Sequence, residues 1–144
     1  MAHARKALRA AVAARLTNAT SMGARVYSNR QHPVVDLELP CVVIETSDDF
    51  VNQATVFAPQ LYMRQLTVDI VVKAKVVANV DDVLDDLCAE IEPLMVDIPG
   101  VDETPEFVET RLGFSGTLEK PAGEARMTYR IPYQTAAADP GTQL

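Results

Sequence analysis

Residues 64–75 read RQLTVDIVVKAK, and residues 79–91, a few positions on, read NVDDVLDDLCAEI. In the first stretch Leu66, Val68, Ile70, Val72 and Ala74 fall on one side of an extended chain, with Gln65, Thr67, Asp69, Lys73 and Lys75 on the other. A period of two with one polar side marks a strand in a sheet that keeps one face wet. From the second stretch onward, Val80, Val83, Leu84, Leu87, Cys88, Ile91, Leu94 and Met95 recur every three or four residues. Asp81, Asp82, Asp85, Asp86, Glu90 and Glu92 take the opposite side of that helical wheel. The two apolar surfaces are natural partners, and burying each larger side chain stabilises by roughly 1.5–3 kcal/mol. This strand–helix unit is therefore expected to anchor the core.

Outward from it, Asn79 suits a helix N-cap, and Asp81 and Asp82 suit the positive end of the helix dipole. Pro93 disfavours helical geometry at Glu92, so the helix should kink or end there. Residues 3–17 form a second predicted helix, with Leu8, Val12 and Leu16 as its apolar stripe and Arg5, Lys6 and Arg9 on its outer side. A short strand is predicted from Ala24 to Tyr27, a turn from Asn29 to Pro33, and a strand from Leu39 to Thr46. Pro40 cannot donate to a ladder and belongs at that strand's start or on an edge.

Near the end of the chain, residues 106–118 and 125–133 both alternate. Val108, Leu112, Phe114 and Leu118 align in one run, and Met127, Tyr129, Ile131 and Tyr133 in the other. The turn chemistry of residues 119–124 joins them as a hairpin, and Gly113 and Gly116 suggest a bend or bulge. The expected architecture is α+β: a mostly antiparallel or mixed β-sheet with two α-helices packed on one face. One domain spans residues 1–135, and residues 136–144 read as a flexible tail.

Residues 47–61 keep no clean period, yet carry Phe50, Val51, Val56, Phe57 and Leu61. They form either a loop or hairpin folding back over the sheet edge or a partly apolar arm that orders on a partner.

At 144 residues with 48% hydrophobic content, the chain can bury a core without staples. No apolar run approaches the ~18 residues of a membrane span. A net charge of −7 argues against sequence-specific nucleic-acid binding. The charge is also segregated: Arg5, Lys6, Arg9, Arg15, Arg25 and Arg30 precede the first acid, Asp36, whereas residues 79–97 are acidic and carry no base. Solvated faces explain this, and so does a head-to-tail contact between a basic helix and the next subunit's acidic helix.

Little points to catalysis. His3 and His32 lack metal-ligand spacing, and Cys41 and Cys88 sit in apolar patterns as buried thiols. Ser28, Ser47 and Ser115 have no activating His–acid pattern nearby. The acidic helix, Asp81 to Asp86, and the Asp48–Asp49 pair are the candidate cation sites, and each reads more simply as a solvated face or a turn. No catalytic residue, metal or cofactor is expected.

The order of these signals resembles a known family. An N-terminal helix precedes Ala24-Arg-Val-Tyr-Ser28, then Leu39-Pro-Cys-Val-Val-Ile-Glu-Thr46 with Asp48 and Asp49 beyond. The strand Leu66–Lys73 and helix Val80–Glu92 follow, and Met127-Thr-Tyr-Arg-Ile-Pro-Tyr-Gln-Thr135 closes the pattern. Over residues 4–135 this is similar to the tail terminator family of tailed bacteriophages, the minor tail protein U group. The resemblance implies a non-enzymatic virion protein, assembled in the bacterial cytoplasm, that forms a homohexameric ring at the head-proximal end of the tail. Such a ring ends polymerisation of the tail tube protein and presents a surface to the head–tail connector. The expected contacts are Phe50, Val56 and Phe57 as anchors, with Arg5 and Arg9 meeting Asp85 and Asp86 of the next subunit. The alternatives are a head–tail connector or completion protein and, from a different class, a small metal-assisted enzyme built on the acidic helix at residues 80–92.

Overall fold

The computed structural model describes residues 2–28, 40–55, 57–75, 79–116 and 121–144. Val56 and His32, the turn predicted at Asn29–Pro33, and much of the connection between strand and acidic helix lie outside the described residues.

Helix α1 spans Ala4–Leu16, and strand β1 is the two-residue Val26–Tyr27. Two long strands follow, β2 (Cys41–Gln53) and β3 (Leu61–Lys75), then helix α2 (Val80–Ile91), which tightens into a 3-10 turn over Glu92–Met95. The tightening falls at Pro93, as expected of a ring that removes a helical N–H. Strands β4 (Glu106–Gly116) and β5 (Pro121–Ala136) complete one sheet in the order β1-β2-β3-β5-β4. Among the described residues, only the β1–β2 pairing is parallel; the rest are antiparallel. The chain is thus a single α+β domain with a mixed sheet.

Both helices lie on one face. Leu8, Val12 and Leu16 of α1, and Val80, Leu84, Leu87 and Ile91 of α2, pack on Ile44, Leu66, Val68, Ile70, Val72, Met127, Tyr129 and Ile131. The alternation read in β3 selects this face. Its central residues are nevertheless buried on both sides, because Cys41, Val43 and Val71 form a smaller apolar cluster beneath the sheet. Beside that cluster, the Arg126 guanidinium donates to Glu45 Oε2 at 2.7 Å and to Asp69 Oδ2 at 3.0 Å. Thr128 Oγ1 donates to the other Asp69 oxygen at 2.8 Å, so the polar residues of three strands are joined. The hydrogen bond that Arg126 donates to Glu45 is the chief reason its guanidinium is held still more firmly protonated.

Several expectations change. Strand β2 runs on past Thr46 to Gln53 through a register shift between Thr46 and Asp49. Beyond the shift, Phe50 and Asn52 alternate in phase with Gln65 and Met63, while Val51 pairs with Arg64 on the other face. Residues 47–61 are therefore the extended end of the β2–β3 hairpin. In β4 the bulge lies between Phe107 and Glu109 and not at a glycine; it moves Val108 out of phase with Leu112 and Phe114. Asn79 precedes α2 in a left-handed conformation (φ 57°), and its side chain makes no capping bond. Asn79 is thus the N-cap by position, its carbonyl accepting the first helical bond from Val83 N–H at 3.2 Å, but without the side-chain bond expected of it.

Residues 137–144 make specific bonds: Ala137 N–H to Gln60 O, Leu144 N–H to Gln134 O, and Gln143 Nε2 to Asp102 Oδ2 at 2.9 Å.

Candidate functional interface

The end of the hairpin carries exposed large apolar residues, among them the most exposed of the described chain, Phe57. Phe57 is 84% exposed, Phe50 53% and Met63 52%. Thr55 ties the tip: its hydroxyl donates to Pro59 O at 3.2 Å and accepts from Leu61 N–H at 3.0 Å. The peptide bond between Ala58 and Pro59 is cis. Strand β5 extends the hairpin into three strands, pairing Leu61–Gln65 with residues up to Ala136. The result is a stiff arm whose tip presents Phe57 to solvent.

Asp49 holds the arm's root. Its side chain is 5% exposed and its Oδ2 accepts from Arg64 Nη1 at 3.1 Å and from the Tyr133 hydroxyl at 2.8 Å. Arg5 of α1 approaches the same oxygen at 3.7 Å, and Arg64 Nε donates to the buried Thr135 hydroxyl. Burial, then the bond to Asp49, pushes the Tyr133 hydroxyl well above the ordinary tyrosine range. His3 caps α1, its Nδ1 accepting from Arg5 N–H at 3.1 Å; burial, then the Arg5 charge, lowers its pKa.

Within one chain, the basic residues of the predicted intersubunit pairs have other neighbours. Arg9 Nη1 donates to Thr46 Oγ1 at 3.1 Å, and Arg5 leans on Asp49, so both turn toward β2 and not simply outward. Lys6 remains exposed, as do Asp85 and Asp86. The basic start of α1 lies beside Leu66 and Asp49, whereas the start of α2 packs over Gly123, which pairs with Ala74. Eight strand residues separate Leu66 from Ala74, about 26 Å. The basic start of α1 and the acidic start of α2 thus sit well apart along the sheet.

Asp48 and Asp49 form no cation site, since Asp49 is already ion-paired. Among the described residues no group of three or more His, Cys, Asp or Glu could hold a metal, and no helix is long and apolar enough to cross a membrane. Cys41 is buried and Cys88 half-buried; neither is in a disulfide. Burial, then the neighbouring Glu92 and Asp85 carboxylates, pushes the Cys88 thiol up to about 11.

Sequence reasoning missed the apolar surface of β4. Phe107, Leu112 and Phe114 are 40%, 48% and 55% exposed and point to the side that carries the helices. Their spacing was legible as a strand, but their exposure depends on where α2 lies.

No protein-family model matches the chain, and no curated protein matches it. A solved structure does: a chain from the virion of a native gene transfer agent particle, at 13% identity with a TM-score of 0.53. The match covers 90% of this chain and 97% of that one, so the two share a fold nearly end to end.

Proposed function

We propose that this chain is a structural protein of a phage-like virion, and specifically a tail terminator. Its copies close into a hexameric ring on the head-proximal end of the tail tube. One face of the ring binds the last tube subunits and stops polymerisation; the other receives the head–tail connector. The observation that carries this reading is the near end-to-end fold likeness to a chain of a gene transfer agent virion. The exposed apolar arm supports it, because a monomer gains nothing from holding Phe57 in water on a stiffened hairpin. The separation of charge between α1 and α2 supports it as well, since a repeated head-to-tail contact brings the opposite charges together. The role is non-catalytic, needs no cofactor and places the protein in the virion.

Deleting the gene in its parent phage or prophage and measuring tails by negative-stain electron microscopy tests the reading. Overlong, headless tails are the expected result. Normal-length tails beside unattached heads would assign the chain to head–tail joining instead. Normal infectious particles would reject a virion role.

A further inference from the structure

The helix layer does not cover its sheet. Among the described residues, helix α1 packs against β2 and α2 against β3 and β5, and neither packs extensively on β4, which stays largely uncovered on the same side. There Phe107, Leu112 and Phe114 pair with Tyr129, Ala125 and Gly123, residues that face the core. They form a shelf continuous with the hydrophobic core. At one end the Phe107 ring lies 4.6 Å from that of Tyr129; at the other, Phe114 adjoins Val80 and Leu84 of α2.

The wall of the shelf is acidic. Glu90, on one flank of α2, accepts from Ser21 after α1. The other flank therefore turns toward β4, and carries Cys88 with Asp85 and Glu92 as its charged neighbours. Glu92 and Cys88 are also the groups that act electrostatically on Tyr129, at the floor of the shelf. No basic residue occupies the last turn of α2 to balance these acids.

We propose that this shelf seats α1 of a second copy of the chain, laid down on its Lys6–Ala10–Ala14 face. Length, surface and charge all point to that occupant. From Phe107 to Phe114 the shelf runs about 20 Å, six steps along the partner strand from Tyr129 to Gly123; the 13-residue α1 is about 20 Å long. Lys6, Ala7, Ala10 and Ala14 are exposed at helical spacing, giving a smooth ridge that approaches bulky aromatic rings closely. The first turn of α1 contains no acid, so its positive end and Lys6 complement the carboxylates lining the shelf. Strands β3 and β5 stand between β2 and β4, so α1 cannot reach the shelf of its own chain. The contact is heterologous and repeats from copy to copy.

This inference rests on the self-assembly in the proposed function, and one experiment separates the two. In a Cys88→Ser background, Ala10→Cys and Leu112→Cys are introduced together and oxidised, with Ala10→Cys plus Gln65→Cys as control. Native mass spectrometry reports assembly; non-reducing gels report cross-links. The expected result is a ladder of covalent multimers for the first pair and none for the control. Because Leu112 is 48% exposed, Leu112→Lys should leave the melting temperature unchanged while raising the concentration for half-assembly about tenfold or more. Rings that form without the cross-link, and that ignore Leu112→Lys, would overturn the seat and leave the ring standing. A wild-type chain that stays monomeric throughout would overturn both.

Discussion

Asp49 gathers two arginines and a tyrosine from α1, β3 and β5 onto one carboxylate that is almost entirely shielded from water. Removing it leaves the Arg64 guanidinium, whose side chain is 11% exposed, without its counter-charge. Breaking one partner of a buried ion pair costs about 3–5 kcal/mol. Asp49→Ala is therefore expected to lower unfolding free energy by about 3 kcal/mol, measured by urea denaturation. Asp49→Asn, which keeps the acceptor, should lose less. This role was not legible in the sequence. Asp48-Asp49 reads as turn chemistry, and only the register shift between Thr46 and Asp49 aims the second carboxylate at residues far away in the chain. Periodicity put Arg5 and Arg9 on the outer side of α1, and Arg5 is indeed exposed, but the contacts of Arg5 with Asp49 and of Arg9 with Thr46 depend on where β2 passes the helix.

Elements with one strict period were readable; elements with a bulge were not. In α2 the three-to-four spacing runs unbroken and burial follows it, while in β3 the alternation picks out the helix-facing side although the residues from Leu66 to Val72 are buried on both faces. In β2 an inserted residue resets the phase, so Phe50 and Val51 appear as consecutive apolar residues that fit neither face. The packing of α2 on β5 depends on a detail that no pattern encodes. A Cβ at Gly123 would stand 2.8 Å from Leu84 Cδ1 and 3.0 Å from Val80 Cγ2, so the helix rests directly on the strand backbone. Gly123→Val should push α2 off the sheet at a cost of about 1–3 kcal/mol. A drop in melting temperature with secondary structure retained is the expected outcome; unchanged stability would mean that α2 does not rest there.

For the molecule as a whole, the fold class was legible because two helices and a chiefly antiparallel sheet follow from local patterns alone. What the surface is for was legible only in part. Phe57 stands out in any apolar count, but its near-complete exposure required the hairpin to be placed. Phe57→Ser is expected to leave the melting temperature of the isolated chain within about 1 °C, since little of the ring is buried on folding. Binding to tail tubes, measured by co-sedimentation, should fall at least about tenfold if the arm is an anchor. Binding at wild-type strength would remove Phe57 from the interface.

The bond from Ala4 N–H to the Pro140 carbonyl, at 2.9 Å, has a consequence for engineering. It brings the beginning and the end of the chain to one spot beside the base of the arm. A short linker there would close the backbone into a loop that could be reopened elsewhere, making the protein a good subject for circular permutation. A fluorophore attached to either end would report from the same location.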